Sequence, residues 1–345
     1  MGNNELNNNN YSTADYFNVR APRYANSIKT YPFARSLDLI PYCFAIKDLG
    51  TNLNFLDAFC GPGFISSSLS NLNHKFVLAD VSDEMIKCSS TTHESFVVKN
   101  DFENLLTKYG NGYFNIIVSH GGFHHAVALA NNRIDSAKTI EKHRNIISNL
   151  SKLLANNGVV IIADIPNNTF QNEFLLSDKR YSLSQFKDIV DSRSLQYISD
   201  SLNIDLDKPN NLIEFQATIN NKVPNHNPHP VPRYYFDEYI AKRTKHGHIA
   251  MYPDFIDIKL QFENYGIKNI GLLNYHSPWI FESNNTAGWF FKEKFSIDRP
   301  TLPNENPELD YMMYEIINQY LGVNNYNNFS FVNWGVTYSI FKKYE

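Results

Sequence analysis

The chain has 345 residues, is 43% hydrophobic and carries a formal net charge of −4 with a pI near 6.3. That suffices for a large core in one elaborated domain or two, and the mild acidity leaves no electrostatic footprint for a nucleic-acid partner. Cys43, Cys60 and Cys88 stand at unrelated spacings, which excludes a disulfide framework, and no apolar run approaches the ~20 residues of a membrane span.

Residues 1–10 are asparagine-rich without apolar periodicity, and a disordered tail is expected there. The opening lacks the basic and apolar regions of a signal peptide, so the expectation is a cytoplasmic protein. Residues 11–50 read as a helical cap, with Phe17, Tyr24 and Ile28, then Leu37, Ile40 and Phe44, at spacings that share faces. Pro32 and Pro41 are expected to break it into pieces.

From residue 51 to 166 strands and helices alternate. Strands are expected at 53–57, 75–80, 95–98, 114–119 and 159–164, the last an apolar run suited to a sheet buried on both faces. Ser82 is a good N-cap, with Asp83 and Glu84 in the following turn. A long helix carries Ile140, Ile147, Leu150 and Leu154 on one side and stops before Gly158. Five such units imply an α/β doubly wound parallel sheet. Residues 167–252 read as a lid or substrate insertion, with a helix near 184–200 and a loop holding Pro224, Pro228, Pro230 and Pro232. Residues 253–345 should close the sheet. They hold a helix at 254–265, a strand at 267–275, an aromatic second insertion around Trp279–Phe291, a helix near 308–321 and a last strand at 332–341.

The chemistry centres on Asn54–Phe64, an apolar strand ending in Asp57 and a Gly61-Pro62-Gly63 turn opening a helix. Glycines there let backbone amides approach a ligand, at the edge where open α/β sheets bind nucleotides. Asp80 ends the next strand at the distance expected of a ribose-binding carboxylate. Gly61, Gly63 and Ser66 also approximate a dinucleotide fingerprint, though such a site has no acid at the place of Asp57 and does not account for Asn100-Asp101-Phe102. Cys60 reads as a packing residue.

These stretches, with Leu78–Met85, Lys99–Phe102 and Phe114–His120 running on to His124-His125, resemble the class I S-adenosylmethionine-dependent methyltransferases. The likeness is to their small-molecule branch, which includes the quinone-biosynthesis methyltransferases. It implies a Rossmann-like seven-stranded sandwich whose last strand is antiparallel and inserted beside strand six. It also implies that Asp57, Ala58, Phe59 and the amides of Gly61 and Gly63 hold the methionine part of S-adenosyl-L-methionine. Asp80 would take both ribose hydroxyls, Val81 and Met85 would flank adenine, and Asn100, Asp101 and Phe102 would meet its amine edge. Ser119 and His120 would end beside the transferable methyl. Phe59 departs from the resemblance, which has glycine there.

Arg20 and Tyr24 share a helical face at spacing four and are expected to close over this cofactor, Tyr24 near the methyl and Arg20 near the carboxylate. His120 and His124 are the candidate general bases, since imidazole titrates near working pH. Two glycines between them disfavour a metal-binding helix, and no metal site is assigned. Among the remaining histidines, His226, His229, His246 and His248 leave metal ligation open. The expected reaction is in-line methylation of oxygen, nitrogen or carbon on a small aromatic or amphipathic molecule. A cyclase or decarboxylase of the same fold, or a non-catalytic cofactor-binding module, is the alternative. No nucleic-acid or membrane partner is expected, and the oligomeric state is open.

Overall fold

The computed structural model describes residues 12–69, 73–89, 93–130, 133–167, 173–174, 179–224, 230–244 and 249–345. The expected tail at 1–10 and the four histidines between 226 and 248 lie outside them. Helix α1 (Thr13–Thr30) starts on a capping box in which Ser12 and Asp15 satisfy each other's backbone amides. Pro22 lies inside this helix. Pro32 falls in the turn that follows. Pro41 opens α2 (Ile40–Ile46) instead of breaking a helix, because a first-turn position needs no N–H donor.

The core then runs β1 (Asn54–Ala58), α3 (Phe64–Ser68), β2 (Lys75–Asp80), α4 (Asp83–Cys88), β3 (Glu94–Val97), α5 (Glu103–Tyr109) and β4 (Phe114–His120). The hairpin strands β5 (Leu129–Ala130) and β6 (Arg133–Ile134) had no expectation behind them. They precede α6 (Ser136–Leu153) and β7 (Leu154–Asp164). Ile140 is 39% exposed, so the buried stripe of α6 runs through Thr139, His143, Ile146, Ile147 and Leu150, and Leu154 already belongs to the strand. Beyond β8 (Glu173–Phe174) come α7 (Ser192–Leu202), α8 (Leu212–Lys222) and α9 (Pro230–Arg243). Pro230 and Pro232 thus stand in the first turn of α9 and not in a loop. The chain closes with α10 (Phe255–Glu263), β9 (Ile267–Tyr275), β10 (Trp279–Phe281), α11 (Asn284–Phe295), α12 (Pro307–Leu321), β11 (Val323–Tyr326), β12 (Phe329–Val332) and β13 (Val336–Lys343).

The main sheet has the order β3-β2-β1-β4-β7-β13-β9-β8. The strands from β3 to β7 pair in parallel, and β13 is antiparallel to β7 and to β9, inserted between them. This is the seven-stranded α/β methyltransferase arrangement, extended by the two-residue β8. The single strand expected at 332–341 is two strands in two sheets, divided at Asn333-Trp334-Gly335, where Gly335 takes φ 50°. Alternation along the strands feeds two apolar layers. Phe55, Ile116, Val118 and Ile161 face α2 and the inserted segments, and Leu56, Ile117, Val160 and Ile162 face the layer shared by α6 and α10. Leu195 and Ile198 of α7, Phe215 of α8, and Trp279, Phe290 and Phe291 join the first layer, so both insertions are packed into the core. No helix among the described residues is long and apolar enough to cross a membrane.

Candidate active site

The turn after β1 is held by backbone bonds. Cys60 N–H donates to Ala79 of β2 (3.0 Å) and Gly63 N–H donates to Cys60 (2.9 Å). Gly61 and Gly63 both take positive φ, 52° and 81°, a conformation in which a Cβ is strained. Asp80 accepts from Gly61 N–H at 2.9 Å and from Ser82 N–H at 2.8 Å. Asp57 accepts from Ser66 N–H at 3.1 Å. Both acids are buried, which disfavours their charged forms; Asp57 rises to about 7 and Asp80 to about 6.

The two carboxylates border a cavity of about 460 Å³ at the carboxyl edge of the sheet, with Gly61, Met85, Asp101 and His120 on its other sides. Asn100, Asp101 and Phe102 form one wall, all three in the left-handed region (φ 45°, 53° and 75°). Such backbone costs of order 1–3 kcal/mol per residue and persists only where surroundings over-determine it. Here Asn149 Nδ2 donates to the Asp101 carbonyl at 2.9 Å, and Lys142 of α6 pairs with the Asp101 carboxylate. Phe59 takes the left-handed conformation (φ 59°) in place of the glycine of the resemblance. Its ring packs edge-on against Phe102 (5.1 Å) and Phe123 (6.0 Å). Gly122 makes this possible, because a Cβ there would stand 2.3 Å from Phe59 Cβ.

Of the residues singled out in the sequence, Tyr24, Asp57, Phe59, Gly61, Asp80, Val81, Met85, Asn100, Asp101, Phe102 and His120 border this cavity. Ala58 and Ser119 are fully buried in the sheet, and Gly63 turns the chain into α3. Arg20 and His124 instead face a smaller compartment of about 70 Å³, which shares Phe17, Tyr24, Arg35, His120, Gly121 and His125 with the larger one. Sequence reasoning passed over Arg35, Lys142 and Lys294. Lys142 and Lys294 sit in helices whose local pattern carries no ligand signal. Arg35 carries one weak hint, its spacing of three from Asp38.

The two candidate bases differ. His120 Nδ1 is 2.8 Å from the Tyr42 hydroxyl and Nε2 is 3.3 Å from Asp38 Oδ2. A carboxylate calls for N–H at Nε2, so the Nδ1 lone pair is the one that accepts from Tyr42. Burial holds the His120 pKa below its usual value, and Asp38 offsets this only partly. Burial pushes Asp38 upward, yet His120, Arg35 and Ser277 bring it below the usual carboxylate range. His124 Nδ1 lies 2.6 Å from Asp164 Oδ1, and His124 N–H donates to Asp164 Oδ2 at 3.0 Å. Asp164 thereby makes Nδ1 the donor and leaves the neutral ring's lone pair on Nε2. His124 has the geometry of an oriented base, its ring held through Nδ1 by Asp164, whereas His120 sits between Tyr42 and Asp38.

A protein-family model for a methyltransferase domain matches residues 49–204. No curated protein matches the chain. Among solved structures, a chain of the complex between the Haloferax volcanii Trm112 methyltransferase activator and the putative methyltransferase is 11% identical, covering 97% of this chain and 98% of that one at a TM-score of 0.46. A SAM-dependent methyltransferase from Archaeoglobus fulgidus is 13% identical over 89% of this chain and 92% of its own, TM-score 0.40. A putative methyltransferase from Bacillus halodurans is 13% identical over 87% and 96%, TM-score 0.42. At these scores the likenesses say nothing about substrate. The matched segment contains the glycine turn, both carboxylates and the strained wall of the cavity, on a sheet of the order and direction the fold requires. Residues 49–204 thus carry the match to a methyltransferase domain, and S-adenosylmethionine is the cofactor that this match supports.

Proposed function

We propose that the protein transfers the methyl group of S-adenosylmethionine, in line, to a small aromatic or amphipathic molecule. The observation that carries this reading is the pair of adjacent compartments, one of cofactor size and one beside it, which share Tyr24, Arg35 and His120 in their walls. The larger one fits the cofactor chemically. Asp80 is an acceptor-only group for two ribose hydroxyls, Asp57 suits an ammonium, and Met85, Val81 and Phe102 offer an apolar slot for adenine. Bound there, the cofactor supplies an electrophilic methyl carrying its own leaving group, so the protein's work is alignment and exclusion of water. Phe17 and the rest of α1 roof the site, and Gly121-Gly122 let β4 end against it. Where the acceptor must lose a proton, His124 takes it at Nε2 and Asp164 stabilises the resulting imidazolium, an effect worth typically 10²–10⁴-fold.

The test is incubation of the full chain with methyl-labelled S-adenosylmethionine and fractionated small-molecule extracts, read by mass spectrometry. Label should move to a small molecule with equal release of S-adenosylhomocysteine. Tight S-adenosylhomocysteine binding with conversion of an extract component but no label transfer would replace this reading with the cyclase or decarboxylase alternative.

A further inference from the structure

Four cationic side chains line the smaller compartment: Arg20, Arg35, Arg233 and Lys294. All are at least nine-tenths buried, with exposures of 6%, 6%, 7% and 9%. Arg35 pairs with Asp38 at 3.1 Å and Arg233 with Asp237 at 3.2 Å. Arg20 and Lys294 have no carboxylate within ion-pair distance among the described residues. Arg20 donates to the Tyr16 hydroxyl and, at 2.9 Å, to the Lys294 carbonyl, and its Nε has no hydrogen-bond partner among the described residues. Lys294 rests on rings, with Nζ 4.1 Å from the centroid of Tyr24 and 5.1 Å from that of Trp279. Burying two cations that are met only by tyrosine hydroxyls, a carbonyl and rings is costly, and an anionic ligand would offset that cost. The rings that these cations rest on also line the compartment, with Arg233 over Trp334 at 3.2 Å and Arg20 over Phe295 at 5.1 Å. Trp279 and Trp334 stack at 4.2 Å between centroids, and Phe295 continues the surface. Burial lowers Arg20 to about 10 and Lys294 to about 8.

Resting on the methyltransferase reading, we propose that this compartment is the anion-binding subsite of the methyl acceptor. The acceptor carries a carboxylate or phosphate-type group between Arg20, Arg35 and Lys294, its unsaturated body lies along Trp279 and Trp334, and its nucleophilic atom points toward the larger cavity at the shared wall of Tyr24 and His120. The volume of about 70 Å³ suits an anionic head group whose body extends toward the larger cavity. Planar guanidinium forks are suited to such oxyanions, and rings complete a site that rejects neutral and cationic analogues.

The test uses the full chain saturated with S-adenosylhomocysteine and two probes of one shape, benzoate and benzyl alcohol, followed by tryptophan fluorescence. Benzoate should bind at least tenfold tighter than benzyl alcohol. Lys294→Met should abolish that preference while raising the melting temperature of the ligand-free protein, and Lys294→Arg should keep the preference. Equal binding of the two probes, or a benzoate preference that survives Lys294→Met, overturns the proposal. Competition between benzoate and S-adenosylhomocysteine also overturns it, because the cations would then hold the cofactor's own carboxylate. Failure of S-adenosylhomocysteine to bind at all sinks the cofactor assignment, and the probe preference, measured without it, still decides the subsite.

Discussion

Cofactor affinity should depend steeply on pH between 5 and 8, and Asp80 should account for a separable part of it. Ribose hydroxyls are donors to a carboxylate, so binding favours the ionised form, while burial raises Asp80 from 3.8 to about 6. Below its pKa, each pH unit costs about 1.4 kcal/mol of binding, a factor of ten. From pH 8 to pH 5 Asp80 alone therefore gives about a tenfold loss. Asp57, raised to about 7, adds roughly a hundredfold if the cofactor's ammonium requires it ionised. The stability of the ligand-free protein runs the other way. For acids whose folded pKa is raised, the contribution is fully present below 3.8 and is lost as pH rises through 6 and 7. Asp80→Asn should weaken S-adenosylhomocysteine roughly 10- to 150-fold at pH 8, from loss of charged hydrogen bonds worth ~1.5–3 kcal/mol. It should also shrink the pH dependence to the part due to Asp57. Calorimetric titration at several pH values, in two buffers of different ionisation enthalpy, measures both affinity and protons released. A flat dissociation constant from pH 5 to 8 with no proton release would refute the ribose assignment.

Gly122→Ala should destabilise the fold by ~1–3 kcal/mol, because the new Cβ meets Phe59 Cβ at 2.3 Å inside the cofactor turn; chemical denaturation reads the loss, and an unchanged midpoint would mean the turn is looser than it stands. One of the 21 tyrosines should ionise near pH 8. Burial pushes Tyr24 up, but Lys294, Arg35 and Arg20 more than offset it and bring it to about 8. Its stabilising contribution is present above the unfolded value of 10.0 and is lost as pH falls through 8. Tyr24→Phe should remove that step from the absorbance titration, and its persistence would assign it elsewhere. Once an acceptor is in hand, His124→Gln should lower turnover at least a hundredfold with S-adenosylhomocysteine affinity unchanged, whereas equal turnover would leave proximity alone as the source of rate. Limited proteolysis of α1 should slow when S-adenosylhomocysteine binds, and equal cleavage rates would make the helix a passive cover.

The strand pattern, the glycine turn and the acids that end β1 and β2 were legible in the linear sequence, because each rests on interactions a few residues long. Alternation marks a buried strand, Ser82 caps the helix that follows it, and a positive-φ turn needs glycine. That local logic placed Asp57, Asp80 and the glycine turn at the cavity, and the resemblance added Met85 and Asp101. It failed at the ends of elements, where local preference is weak. Pro41 and Pro230 open helices, and the chain breaks at Asn333–Gly335 because two sheets compete for one apolar run. The role of a side chain was legible only where its partners are close in sequence. Nothing near His120 announces that Tyr42 and Asp38 flank its ring, and nothing near His124 announces Asp164, forty residues on. Lys294 and Arg20 lie 274 residues apart and share one small compartment only because α11 packs on α1. Charge balance in a buried site is a sum over elements brought together by folding, and that sum is what the tertiary structure alone decided.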